Sequence, residues 1–198
     1  LTKLDWEPGV GLHIGAATSC ASVYEDSEVR ERYPAIVESS MLIGAIQIQN
    51  RAALGGNVCN AAPSGDTIPS LLIYETKAII LGPNGLREVP LNGFFVGPGK
   101  TILADDEILV ELLVPPPPPQ SHSNYLRFIP RDEMDIAVVG VGSLVALSSS
   151  GTCSAVRIAL ASVGPTPVRA AEAEGVMVDR IPSTALLADT SERAVLAA

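Results

Sequence analysis

The residues best equipped for chemistry lie in one run, Gln47 to Asp66. It holds an amphipathic segment, the pair Gly55-Gly56, then Asn57, Asn60 and a Pro63-Ser64-Gly65-Asp66 turn. Glycine has no Cβ, so a ligand reaches its amide unobstructed, and either glycine can adopt φ > 0. Successive N–H groups in such a loop form a nest for an anion without any lysine or arginine. A tight turn packed against a strand would use the same glycines. The flanking Asn57, Asn60 and Asp66 favour a ligand loop. Other motifs fall short. Gly97-Pro98-Gly99-Lys100-Thr101 ends like a P-loop, but Phe94 stands where its first glycine is required, which leaves Lys100 as a surface charge in a turn. Gly9-x-Gly11 and Gly140-x-Gly142 lack the third glycine of a dinucleotide fingerprint. Cys20, Cys59 and Cys153 show no CxxC spacing and read as small buried thiols in a reducing compartment; His13 and His122 stand apart from any nucleophile and read as structural or surface residues. No catalytic residues and no metal ligands are expected.

The elements that must position this run can be read from periodicity. Residues 10–14 alternate as a strand, and Ser19 can cap a helix through Val23 and Tyr24. A helix is predicted over 34–41. The glycine loop follows, then a short helix capped by Asp66 or Thr67, with Pro69 in its first turn. Lys77–Leu81 and Leu86–Pro90 read as strands around a Gly82-Pro83-Asn84-Gly85 turn, and Ile108–Val114 as another. Pro115 to Pro119 cannot continue a helix or a central strand and reads as a stiff connector. Beyond it, 136–148 and 154–162 form an antiparallel pair across Ser149-Ser150-Gly151, Thr166-Pro167-Val168-Arg169 opens an alanine-rich helix, and a further helix starts at Thr190. Both halves are α+β.

Composition narrows the function classes. With 198 residues, 47% hydrophobic, there is length enough for a proper core. A net charge of −9 and only 4% aromatics argue against nucleic acid and anionic membranes. The longest apolar run, Ile136 to Leu147, is interrupted by Gly140, Gly142 and Ser143 and is too short to span a bilayer. No signal-peptide layout is seen, and a cytoplasmic location is expected.

The Gly55-Gly56-Asn57 run closely resembles the second flavin motif of the FAD-carrying medium subunits of molybdenum hydroxylases, such as xanthine dehydrogenases and aerobic carbon monoxide dehydrogenases. Further segments carry the likeness in order: Ile14-Gly15-Ala16-Ala17-Thr18, Val89-Pro90-Leu91 with Phe94-Phe95-Val96-Gly97, Asp106-Glu107-Ile108-Leu109, and Tyr125 to Arg131 with Met134-Asp135-Ile136-Ala137. The resemblance implies the second subdomain of a vanillyl-alcohol-oxidase-type FAD-binding domain over 1–114, a proline linker over 115–120, and a carbon monoxide dehydrogenase flavoprotein C-terminal-like α+β domain over 121–198. It also implies non-covalent FAD, a large molybdopterin-binding subunit and a small [2Fe–2S] subunit as partners in a hetero-oligomer. Electrons would pass from the clusters through FAD to NAD or another acceptor.

Carried onto matching positions, Gly55, Gly56 and Asn57 would meet the pyrophosphate and ribityl chain, with Ala53, Leu54, Asn60 and Gly65 in the same stretch. Asp66 would accept from flavin hydroxyls. Ile43, Gly44 and Ile48 would lie beside the cofactor, Ala16 would touch it from a strand end, and Ile108 and Leu109 would border the isoalloxazine or serve as plain strand core. Arg127 would face the flavin's polar edge or be an exposed charge. The chain departs from the family in three ways. Ala53 and Ala62 replace frequent Thr or Ser, the family's first, Ala-Gly-Gly flavin loop is missing, and the C-terminal domain stops early. A fragment that holds FAD poorly by itself is therefore expected. Two rival readings are a cofactor-less scaffold subunit of the same complex and a stand-alone FAD oxidase, which would need a catalytic cap after Pro119.

Overall fold

The computed structural model describes residues 1–131 and 134–198. Strands β1 (Leu4–Glu7) and β2 (Gly11–Gly15) form a hairpin, followed by helices α1 (Cys20–Glu25), α2 (Ser27–Arg32), α3 (Pro34–Met41), α4 (Ile46–Gln49), α5 (Leu54–Asn60) and α6 (Thr67–Ile73). Then come β3 (Lys77–Gly82), β4 (Gly85–Pro90), the short pair β5 (Phe95–Gly97) and β6 (Lys100–Thr101), and β7 (Ile108–Val114). The second half holds β8 (Ser121–Phe128), β9 (Val139–Leu147), β10 (Cys153–Ala161), β11 (Val168–Arg169), α7 (Ala171–Met177) and α8 (Thr184–Leu196). The first sheet has the order β1-β2-β7-β3-β4 and the second β11-β10-β9-β8, with antiparallel pairing throughout the named strands. No helix is long and apolar enough to cross a membrane among the described residues.

Local chemistry explains the early elements. Ser19 caps α1 by accepting from the Ser22 amide, and Asp26 caps α2 from the Val29 amide. Pro34 opens α3 at a position where its missing N–H costs nothing. The prolines after β7 belong to no strand or helix, and at their start the Tyr33 hydroxyl donates to the Val114 and Pro115 carbonyls, 3.2 and 3.1 Å away. Ile14, Ile36, Leu54, Val58, Ile68, Leu71, Ile73, Ile80 and Leu112 build the core, and Tyr125, Leu144 and Ala159 of the second sheet join the same cluster. The junction is α6, lying on β9. A Cβ at Gly142 would stand only 2.9 Å from the Pro69 backbone, so glycine there lets helix and sheet touch.

Several expectations need correction. Gly55, Gly56 and Asn57 are not a loop. They form the first turn of α5, and neither glycine has φ > 0. Buried Leu54 and Val58, one turn apart, draw the segment into a helix whatever its glycine content. Asp66 does not cap α6; it sits in helical conformation, with no side-chain cap bond. Residues 121–128 form a strand that periodicity did not reveal, and 168–169 pair with β10 as a strand before α7 begins at Ala171. The last helix starts at Thr184 rather than Thr190, capped by Ser183. Cys20 and Cys153 are buried as expected, but Cys59 is exposed.

Candidate functional site

The glycine pair sits where three segments converge. Residues 52–53 run beside 19–20, with Ser19 bridged to Ala53 and the Cys20 amide donating to Ala52 O at 2.8 Å. That pairing sets the start of α5. Ala53 takes the N-cap in extended conformation (φ −112°, ψ 147°), and its methyl offers no cap bond. The Asn57 amide is the first to fold back, onto Ala53 O at 3.0 Å. The amides of Gly55 and Gly56 precede it and have no backbone partner among the described residues, as first-turn N–H groups lack one by geometry.

The two glycines serve different ends. A Cβ on Gly55 would lie 2.4 Å from Ala16 O and 2.6 Å from Ala16 Cα, so Gly55 lets α5 close onto the end of β2. A Cβ on Gly56 would meet nothing within 4 Å. Gly56 faces a groove of about 310 Å³ walled by Cys20, Ile43, Ala52, Ala53, Asn57 and Asn60. Burial pushes the Cys20 thiol up to about 11, which keeps this wall uncharged and unreactive at neutral pH.

Asn57, in the groove wall, touches both chain neighbours of Asp66. The Asn57 carboxamide donates to Thr67 Oγ1 at 2.9 Å, and its Oδ1 faces Gly65. Asp66 itself is buried and accepts from the Tyr125 hydroxyl at 2.7 Å and from Arg127 Nη1 at 2.9 Å. Burial raises its carboxyl above the ordinary range, while Tyr125 and Arg127 partly oppose that. The Tyr125 phenol is raised in turn, first by burial and then by the Asp66 charge. Arg127 is thus no exposed charge; its side chain is 11% accessible and ion-paired.

Of the residues singled out from sequence, Ile43, Ala53, Gly56, Asn57 and Asn60 share the groove, while Gly65 lies against Asn57, and Asp66, next in the chain, pairs with Arg127. Ala16 lies behind α5 rather than in the groove. Leu54 and Leu109 are core side chains, and Ile108 is about half exposed. Gly44 (φ +53°) turns the chain after α3, and its Cβ position abuts the half-exposed Ile48. Sequence reasoning missed that Tyr125 and Arg127 both pair with Asp66. The place of Tyr125 two residues before Arg127 puts both on one strand face, a signal that needed β8 to be recognised first.

Comparison with known proteins shows the family. A family model described as FAD binding domain in molybdopterin dehydrogenase matches residues 5–117, and one described as CO dehydrogenase flavoprotein C-terminal domain matches 124–196. The chain is 41% identical over 164 residues to the xanthine dehydrogenase FAD-binding subunit of Escherichia coli O157:H7, covering 82% of this chain and 56% of that one. It is 34% identical to the carbon monoxide dehydrogenase medium chain of Hydrogenophaga pseudoflava, with 82% and 56% covered. The solved carbon monoxide dehydrogenase from Hydrogenophaga pseudoflava that lacks the Mo-pyranopterin moiety superposes with a TM-score of 0.92 at 30% identity, over 98% of this chain and 67% of that one. The chain thus spans little more than half the length of these two curated relatives. With a model of this kind matched across more than half its residues, the chain belongs to the family of FAD-binding domains of molybdopterin dehydrogenases.

Proposed function

We propose that this chain is the cofactor-holding part of a molybdenum hydroxylase medium subunit, binding FAD non-covalently and relaying electrons. The observation that carries this reading is the groove over Gly56, which no methyl fills, beside the first-turn amides of Gly55 and Gly56 that have no backbone partner among the described residues. Those amides suit a diphosphate, because backbone N–H groups bind an anion with little rearrangement. The Asp66 carboxylate, held by Tyr125 and Arg127, keeps acceptor capacity for a sugar or ribityl hydroxyl. Ala16, Gly44, Ile48 and Ile108 belong to this reading as flanking contacts, and Leu54 and Leu109 as the packed support beneath. When bound, FAD supplies the redox chemistry; the protein supplies position and electrostatics. Electrons would arrive from the [2Fe–2S] clusters of a small subunit, fed by a large molybdopterin subunit, and leave to NAD or another acceptor in a cytoplasmic complex. The division into 1–114, the 115–120 linker and 121–198 is part of this reading. It draws support from the two separate sheets on either side of the prolines.

Titration of the purified chain with FAD, followed by flavin fluorescence, tests the proposal. Saturable one-to-one binding is expected, weaker than in a full-length medium subunit, with all yellow colour released on acid precipitation. No saturable binding at any accessible concentration would refute the cofactor assignment, and colour retained on the precipitate would refute non-covalent attachment.

A further inference from the structure

Asp66 owes its geometry to the second sheet rather than to its own helix. Its two carboxylate oxygens are divided between Tyr125 Oη and Arg127 Nη1, at 2.7 and 2.9 Å. Both donors stand on β8, two residues apart, and point to the same face. Tyr125 reaches Asp66 only because β9 leaves space for it. A Cβ on Gly140 would stand 2.3 Å from the Tyr125 hydroxyl. The strand is itself anchored upstream, since Glu38 of α3 accepts from the Tyr125 amide at 2.6 Å and from the Asn124 carboxamide. At the other end of α6, Arg169 and Arg157 of the same sheet donate to the Leu72 and Ile73 carbonyls at 3.2 and 3.1 Å. The helix that carries Asp66 at its start is thus gripped at both ends by the second sheet.

We infer that Tyr125 is a positioning residue for cofactor binding, its hydroxyl seated over Gly140 fixing the Asp66 carboxylate in the orientation that receives a cofactor hydroxyl. This rests on the FAD reading given above. Arg127 alone, bonded to Asp66 through a single nitrogen, leaves the carboxylate free to rotate about that contact. The second donor removes this freedom and makes flavin affinity depend on a part of the fold that lies beyond the prolines.

The charged and titratable groups around Asp66 are few. Tyr125 and Arg127 face it from β8, Asn57 of α5 and Thr67 of α6 are neutral neighbours, and Glu38 of α3 acts on the Tyr125 backbone. Y125F keeps the ring and removes only the donor, so the carboxylate protonates more readily. An ionised carboxylate is purely an acceptor, so affinity in the variant should fall away at a higher pH than in the wild type.

The test is FAD affinity of the whole chain, wild type against Y125F, from about pH 5 to pH 8, with thermal unfolding of the flavin-free proteins alongside. Expected are a Kd raised about five-fold at neutral pH and an acid limb displaced to higher pH. A Y125F profile equal to wild type, or lowered evenly at every pH, overturns the positioning role and leaves the FAD site standing. Absence of FAD binding by the wild type overturns the site itself, and is visible without the variant.

Discussion

Replacing each glycine of the pair by alanine should move stability in opposite directions. A methyl at Gly55 would lie 2.4, 2.6 and 2.7 Å from the Ala16 carbonyl oxygen, Cα and Cβ, where contacts normally begin near ~3.5 Å. Two of those atoms are backbone, so no rotamer change relieves the clash and α5 must back away from β2 by roughly 1 Å. Overpacking against backbone takes the upper part of the usual range, about 2–3 kcal/mol, against which alanine in place of glycine in a helix returns up to ~1 kcal/mol. The net loss, about 1–2 kcal/mol, lowers Tm by roughly 2–8 °C in a chain of this size. At Gly56 the methyl meets nothing, so only the helix term remains, a gain of ~0.5–1 kcal/mol. The same methyl projects into the groove and hinders one or two charge-assisted bonds, worth about 1.5–3 kcal/mol each, so Kd for FAD should rise at least ten-fold, roughly. Circular dichroism melts of the flavin-free variants and fluorescence titrations with FAD read both effects. A G56A variant that is stabilised yet binds FAD like wild type would refute the placement of the cofactor over α5. A G55A variant that melts like wild type would refute the packing role of Gly55.

Ala53 at the α5 N-cap already has the extended backbone a capping residue needs, so A53S should stabilise the flavin-free chain by ~1 kcal/mol, seen as a higher Tm. G142A should drive a methyl to 2.9 Å from the Pro69 backbone and destabilise by about 1–3 kcal/mol, measured by urea unfolding. Glu107 is paired through both oxygens with Arg87 and receives the Ala104 amide, which holds its carboxyl at about 2 against an ordinary 4.5. A carboxyl whose folded value is depressed stabilises the fold above its unfolded value and loses that contribution as pH falls. In E107Q, therefore, the decline in urea midpoint between 4.5 and about 2 should be shallower than in wild type. An unchanged slope would show that the ion pair contributes nothing.

Much of the scaffold was legible because its signals are local. Pro34 at a helix start and the apolar run of β7, interrupted by Glu111, gave α3 and β7 their observed limits, Pro34–Met41 and Ile108–Val114. The turn at Gly82 to Gly85 placed β3 and β4. What escaped depends on distant partners. Two glycines make α5 a poor helix by propensity, and only burial of Leu54 and Val58 against the core reverses that. Strand β8 opens Ser-His-Ser-Asn, a polar run, because its inward Ser123 is bonded to the Ala35 amide and to Tyr74 instead of packing as an apolar side chain. Asp66 looked like a cap because the short-range option was the visible one; the structure turns its carboxylate to β8, about sixty residues on. The site shows the same division: residue types near the glycines were readable, whereas Tyr125 was not.

The claim that the first turn of α5 receives the cofactor's diphosphate is tested most directly by amide NMR of glycine-labelled protein titrated with FAD. The Gly55 and Gly56 amide resonances should shift downfield together and saturate with the flavin fluorescence signal, while Gly151, in a distant turn, stays still. If FAD binds and those two resonances do not move, the diphosphate lies elsewhere and the site described over Gly56 is wrong.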